Sequence, residues 1–172
     1  IPQWFLKITA YAEELLQGLD ELDGWPDAVK TMQRNWIGRS EGAEFEMAVC
    51  DAGGAPDPGG RSVRVFTTRP DTAFGMTYAV LAPEHPLVAE ITRPERRAAV
   101  EHFVAQARAA TEEARLAVDG GLEKRGVFTG AWLLNPFTRK PVPLYLADYV
   151  LMGYGTGAIM AVPGQDRRDW DF

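Results

Sequence analysis

Apolar positions in the first forty residues recur at helical spacing. Tyr11, Leu15, Leu19 and Leu22 stand four, four and three apart, which predicts one buried helix face. Gly24-Trp25-Pro26 breaks that pattern, and Pro26 suits the first position of a second helix running to about Trp36. The period then changes to two. Phe45, Met47 and Val49 alternate with Glu44, Glu46 and Ala48, as in a half-buried strand. Asp51 to Gly60 holds four Gly and two Pro in ten residues, a surface loop. Ser62 to Thr67 resumes the alternation with Val63 and Val65 on one side, so the two strands are expected to pair as an antiparallel ribbon.

Further along, Thr92-Arg93-Pro94-Glu95 has the form of a capping box and predicts the start of the longest helix. Val100, Phe103, Val104 and Ala107 would be its inner face. Beyond Gly120-Gly121, three apolar pieces read as strands: Val127 to Leu134, Val142 to Leu146 and Ala158 to Val162. The expected fold class is mixed α/β (α+β), with residues 1–40 a helical entry segment and 41–172 the main domain. Neither a repeat nor a low-complexity tract interrupts it.

Composition narrows the function classes. The chain has 172 residues, 46% hydrophobic and 24% charged, enough for one domain with a real core. No apolar run approaches the roughly 20 residues of a membrane span. The first residues, Ile1-Pro2-Gln3-Trp4, lack an initiator Met and a signal-peptide pattern, which reads as a cut inside a longer protein. One cysteine, Cys50, forms no internal disulfide and fits a reducing, cytoplasmic setting; packing is its expected role. With His85 and His102 it makes three scattered Cys/His residues, too few for a structural zinc site, so no metal is expected. A net charge of −6 means that any contact with nucleic acid must be local, or shared with a larger protein.

Two polar clusters could carry chemistry. Thr67-Thr68-Arg69-Pro70-Asp71-Thr72 puts three hydroxyls, a guanidinium and a carboxylate at a strand exit. Hydroxyls there can donate to a carbonyl or hold a water, and the Arg can grip a phosphate or carboxylate. The same residues also suit an ordinary strand end with a Pro-Asp turn. The second cluster runs from Gly153-Tyr154-Gly155-Thr156-Gly157 through Met160 and Val162 to Gln165, Asp166 and Asp169. Its glycines would let the backbone approach a planar ligand, and each Asp could serve either as a helix-terminus residue or as a ligand. Neither histidine neighbours these clusters in sequence, so a Ser-His-Asp triad is not expected.

At both clusters the chain resembles the editing domains of class I aminoacyl-tRNA synthetases. The first matches their threonine-rich signature, and Gly155 to Pro163 followed by Asp166 and Asp169 matches the second half of the same site. Trp4 to Thr9, Met32 to Ser40 and Gly126 to Gly130 narrow the resemblance to the leucyl-tRNA synthetase editing domain. The isoleucyl and valyl types share the threonine motif, but the flanks match them less well.

The resemblance implies a connective insertion folded as a barrel-like, largely antiparallel unit with surrounding helices. It implies a deacylase acting on mischarged leucine tRNA, held at its 3′-terminal adenosine and working with the rest of a parent synthetase. Thr67 and Thr68 would position the carbonyl or the attacking water, and Asp169 would face the substrate ammonium. Thr72 would be the steric stop against leucine, with Tyr154, Met160 and Val162 lining the pocket. Arg69 would hold a phosphate or pair with Asp71; Asp166 and Gln165 would complete the substrate site. Gln165 stands where the family often has His, and it cannot carry charge. No cofactor is expected in this domain, ATP and Mg belonging to the parent's synthetic domain. The family's domain continues some tens of residues past Phe172. A non-catalytic tRNA-docking insertion is the rival implication, but docking alone requires none of the threonines or Asp169.

Overall fold

Two compact units make up the chain in a computed structural model that describes residues 4, 6–109, 125–153 and 155–172. The first unit, residues 1–41, contains helix α1 (Ala12–Gly18), flanked by 3-10 turns, and helix α2 (Asp27–Ile37). Pro26 sits at the N-cap of α2, one residue before the expected position, and Gly38 ends the helix in the left-handed region at φ 66°. Ion pairs Arg34–Asp20 and Arg39–Glu13 tie parts of this unit together. The expected buried face is corrected here: Leu19 is buried, but Tyr11 and Leu15 are more than half exposed. Two short helices supply too little apolar surface to cover every position of a helical stripe.

The second unit, residues 42–172, is built on a six-stranded sheet. Its strands are β1 (Ala43–Cys50), β2 (Ser62–Thr67), β3 (Tyr78–Leu81), β4 (Gly126–Leu134), β5 (Pro141–Ala147) and β6 (Ala158–Ala161). Their order is β2-β1-β4-β5-β3-β6, and every ladder is antiparallel except that between β3 and β5. The sheet is open in its hydrogen bonding, yet its edge strands approach one another. The Thr156 hydroxyl spans them, donating to the Arg64 carbonyl at 2.6 Å. This is the mixed, largely antiparallel architecture with barrel-like curvature that the resemblance implied.

The β1–β2 ribbon forms as the alternation predicts, with Met47, Val63 and Val65 fully buried. Its connecting loop is closed by Asp57, whose buried carboxylate accepts from Gly59 N–H at 3.0 Å and from the Arg61 guanidinium at 2.6 and 2.8 Å. Arg61 also donates to the Glu90 carbonyl in helix α3 (Val88–Ile91). Helix α4 (Arg97–Ala109) buries Val100, Phe103 and Ala107 in the core, with Val104 half-buried against it.

The capping box is corrected. The Thr92 hydroxyl turns back to donate to the Val88 carbonyl at 2.5 Å, and a 3-10 turn (Pro94–Arg96) with no side-chain cap precedes α4. Thr92 instead closes α3, because the carbonyl four residues back lies within reach of its hydroxyl. Gly120-Gly121 fall outside the described residues.

Strand β3 carries no alternating pattern. Ala79 and Leu81 join the main core, while Val80 packs on the other side with Ala82, Ala147, Val150 and Ala161. A strand buried on both faces reads as a plain apolar run too short to tell from other buried segments. Its position between β5 and β6 sets the whole second half of the sheet, and it carries Tyr78 toward helix α5 (Arg167–Asp171).

Candidate functional site

The first polar cluster leaves the sheet at the end of β2. Thr67 is buried, and its hydroxyl accepts the Arg69 N–H at 3.0 Å, which turns the chain sharply. Pro70 then opens a 3-10 turn (Pro70–Gly75), where its fixed φ suits the first turn position. Within this turn the Thr72 hydroxyl donates to the Arg69 carbonyl at 2.9 Å, so the Thr72 rotamer is pinned to the backbone. The side chains of Arg69 and Asp71 form a two-pronged pair at 2.9 and 2.7 Å, both largely exposed. That guanidinium holds the Asp71 carboxyl below its usual range.

The second cluster enters from the opposite edge strand. Gly155 and Gly157 have φ of +55° and +70°, and a Cβ on Gly155 would stand 2.8 Å from the Phe66 side chain. These glycines therefore let the chain pass close over β2 before β6 begins. After β6, Asp166 caps the short helix α5, accepting the Arg168 N–H at 2.7 Å. Its carboxylate also pairs with the Arg168 guanidinium at 3.0 Å, and this contact, opposed by partial burial, keeps the Asp166 carboxyl below its usual range.

Asp169 is buried, and its Oδ2 accepts the Val162 N–H at 2.7 Å. The Asp169 carbonyl takes the Tyr78 hydroxyl at 2.7 Å. Burial, and then the nearby Asp169 charge, push the Tyr78 phenol up to about 12. Burial raises Tyr149 as well, so both rings stay neutral donors across physiological pH.

These two clusters, more than eighty residues apart in sequence, line one cavity of about 440 Å³. Thr67, Thr68, Arg69 and Thr72 come to it from the β2 exit; Met160, Val162, Gln165, Asp166 and Asp169 come from β6 and α5. Asp71 is not among the lining residues and is committed to Arg69. Tyr154 lies outside the described residues.

Six further residues line the cavity without having been singled out in the sequence: Phe66, Tyr149, Val150, Leu151, Ile159 and Arg168. Most are apolar or aromatic residues of ordinary core type, and only their fold neighbours distinguish them. Arg168 had a usable signal, its spacing from Asp166.

Neither histidine lines the cavity. His85 Nδ1 accepts the Leu87 N–H at 3.2 Å, and burial lowers its pKa; His102 pairs with Gln106 within α4. Cys50 is buried, with its thiol pKa raised by that burial. Chemically, the cavity offers hydroxyls on one wall, a buried carboxylate on the other and an apolar floor. Such a site can hold a cationic, partly apolar ligand with a carbonyl between the walls.

Comparison with known proteins places this arrangement in a group. The family described as leucyl-tRNA synthetase, editing domain, matches residues 34–172. The leucine–tRNA ligase of Roseiflexus castenholzii is 55% identical over the whole chain, and that of Gloeobacter violaceus is 56% identical over the whole chain. The chain spans about 19% of the length of these two relatives. Among solved structures, a ternary complex of an Agrobacterium radiobacter LeuRS with tRNA and LeuAMS is similar, with a TM-score of 0.77 and 42% identity. That likeness covers 99% of this chain and 19% of the other.

Proposed function

The chain belongs to the leucyl-tRNA synthetase editing-domain family, and on that premise we propose that it hydrolyses the ester of wrongly charged leucine tRNA. The observation that carries this reading is the single cavity where the threonine-rich turn faces Asp169. A pocket for leucine in a synthetic site gains only about 1–3 kcal/mol against an amino acid differing by one methylene. A second pocket that admits the mimic and refuses leucine multiplies the selectivity.

In this reading the tRNA's terminal adenosine brings the aminoacyl ester into the cavity. The substrate ammonium pairs with Asp169, a carboxylate already positioned by the Val162 N–H. Thr67 accepts from the Arg69 N–H, which leaves its own O–H to donate to the ester carbonyl or to the attacking water. Water adds to the carbonyl carbon, and backbone N–H groups with Thr67 and Thr68 stabilise the oxyanion. The carbon–oxygen bond to the ribose then breaks, and the ribose oxygen takes up a proton. No strong base stands at this point among the described residues, so the proton is relayed: water or the neighbouring ribose hydroxyl accepts it as it passes a proton of its own to the leaving ribose oxygen or to solvent. Thr72, stiff at χ1 and pinned to the Arg69 carbonyl, is the obstacle to leucine. Norvaline, isoleucine and methionine esters are the expected substrates, and the partners are leucine tRNA and the remainder of a synthetase.

The test is a deacylation assay in a full-length leucyl-tRNA synthetase carrying this chain as its editing domain. Isoleucyl- and norvalyl-tRNA should be hydrolysed and leucyl-tRNA spared. Hydrolysis of all three esters no faster than the spontaneous rate would overturn the proposal.

A further inference from the structure

The turn that presents Thr72 is held from outside the cavity by a side chain with no place in the chemistry above. Asn135, at the start of the turn joining β4 to β5, is fully buried. Its Nδ2 donates to the Ala73 carbonyl at 3.1 Å, one residue beyond Thr72. Its Oδ1 accepts from the N–H groups of Phe137 and Thr138 at 2.9 and 3.2 Å, so the amide has one orientation only. The Asn135 backbone is also fixed, donating to the Lys140 carbonyl and accepting from Arg139 N–H.

Two more contacts constrain the same turn. The Phe74 ring lies 5.6 Å, centroid to centroid, from Phe137 of the β4–β5 turn. On the other side, a Cβ on Gly75 would stand 3.3 Å from Val162 Cγ1, itself a cavity residue. The Pro70–Gly75 turn is therefore wedged between the β4–β5 hairpin and the opposite cavity wall.

We propose that Asn135 is a specificity-determining positioning residue that sets the depth of Thr72 in the cavity through the Ala73 carbonyl. This rests on the deacylase reading above. Among the described residues, the hydrogen bonds of Thr72 run only to Arg69, the residue that precedes the same turn, through its hydroxyl and its N–H. The start of that turn is tied to β2 through Thr67, and the bond from Asn135 ties its middle to the β4–β5 hairpin. Leucine and isoleucine differ only in where the side chain branches, so their discrimination depends on where the obstacle stands, and a small displacement opens the space it blocks.

The experiment compares Asn135→Asp and Phe137→Ala with the parent in the same full-length synthetase. Initial deacylation rates of leucyl-tRNA and isoleucyl-tRNA are measured side by side. Asn135→Asp keeps the shape and the two accepted bonds but puts an oxygen against the Ala73 carbonyl. Its leucyl-tRNA hydrolysis should rise roughly tenfold or more, with isoleucyl-tRNA hydrolysis within about threefold of the parent. Phe137 is 44% exposed and tolerates truncation better; Phe137→Ala should shift the ratio in the same direction by a smaller factor.

A merely structural role for Asn135 slows both esters in proportion, and an unchanged ratio of the two rates overturns the proposal. Should Asn135→Asp fail to fold, Phe137→Ala decides by the same ratio. A parent that hydrolyses neither ester overturns the deacylase reading itself. A parent that clears isoleucyl-tRNA, with variants that keep its ratio, overturns only the positioning role.

Discussion

In the deacylase proposed above, Asp169 has two duties that substitution can separate. Its Oδ2 holds the Val162 N–H, and the carboxylate charge faces the cavity where a substrate ammonium would sit. Asp169→Asn keeps an acceptor for Val162 but loses the charge, so hydrolysis of isoleucyl-tRNA should fall by the equivalent of about 2–5 kcal/mol while the melting temperature barely moves. Asp169→Ala should lose the same activity and also about 1–3 kcal/mol of stability, since a buried N–H is left without its acceptor. Equal melting temperatures for the two variants would show that the Val162 contact is not structural.

Thr72 gives the complementary result. Thr72→Ala removes the obstacle and leaves Asp169, Thr67 and Thr68 in place. Leucyl-tRNA should then be hydrolysed while isoleucyl-tRNA is still cleared. Continued sparing of leucyl-tRNA would move the steric stop to Met160 or Val162.

Among the elements, the Gly- and Pro-rich β1–β2 loop is held by two carboxylates, Asp51 accepting from the Gly53 and Ala55 N–H groups and Asp57 from Gly59 and Arg61. Hydrogen bonding to Arg61 lowers the Asp57 pKa from its ordinary 3.8 to about 2. A carboxyl whose pKa is depressed by folding stabilises the folded state above the unfolded value and loses that contribution as pH falls. For Asp57 the contribution is full above 3.8 and disappears as pH drops through about 2. Melting curves and amide exchange across that window should show the loop opening in the parent. Asp57→Asn should melt lower at neutral pH and show a shallower acid slope. Identical acid slopes would mean that Asp57 does not govern loop closure.

For the molecule as a whole, charge decides how the cavity reaches its substrate. The net charge is −6, and the arginines nearest the cavity, Arg69 and Arg168, are paired with Asp71 and Asp166. The arginines that line the cavity are therefore already committed to carboxylates and offer less to a phosphate backbone. The tRNA affinity of the isolated chain should be roughly micromolar or weaker, with a shallow dependence on salt. Filter binding or fluorescence anisotropy across a salt series would measure both. Nanomolar affinity at physiological salt would show that local contacts suffice without a larger protein.

The ribbon of β1 and β2 and the inner face of α4 were written into the sequence as periodicity, and β4, β5 and β6 as apolar pieces between turn residues. The ribbon and the helix each turn one face toward the core, and that asymmetry marks alternate or every third to fourth residue. The chemical residues were also legible, because a dense group of hydroxyls and a Gly-rich run ending in two Asp are unusual compositions. Strand β3 was not legible: both its faces are buried, so no alternation survives. The Thr92 cap misled because its hydroxyl bonds back to the Val88 carbonyl, and the Tyr11–Leu15 face because two short helices supply too little apolar surface to cover it.

What the tertiary structure alone decided was convergence. The curvature of the sheet brings its two edge strands together and sets the β2 exit beside β6 and α5, and no local signal spans the intervening residues. It also turned Asn135, in sequence an ordinary turn residue, into the link between a hairpin and Thr72. Sequence periodicity records which side of an element meets the core; which elements meet each other depends on long-range pairing, whose partners are set by the packing of the whole sheet.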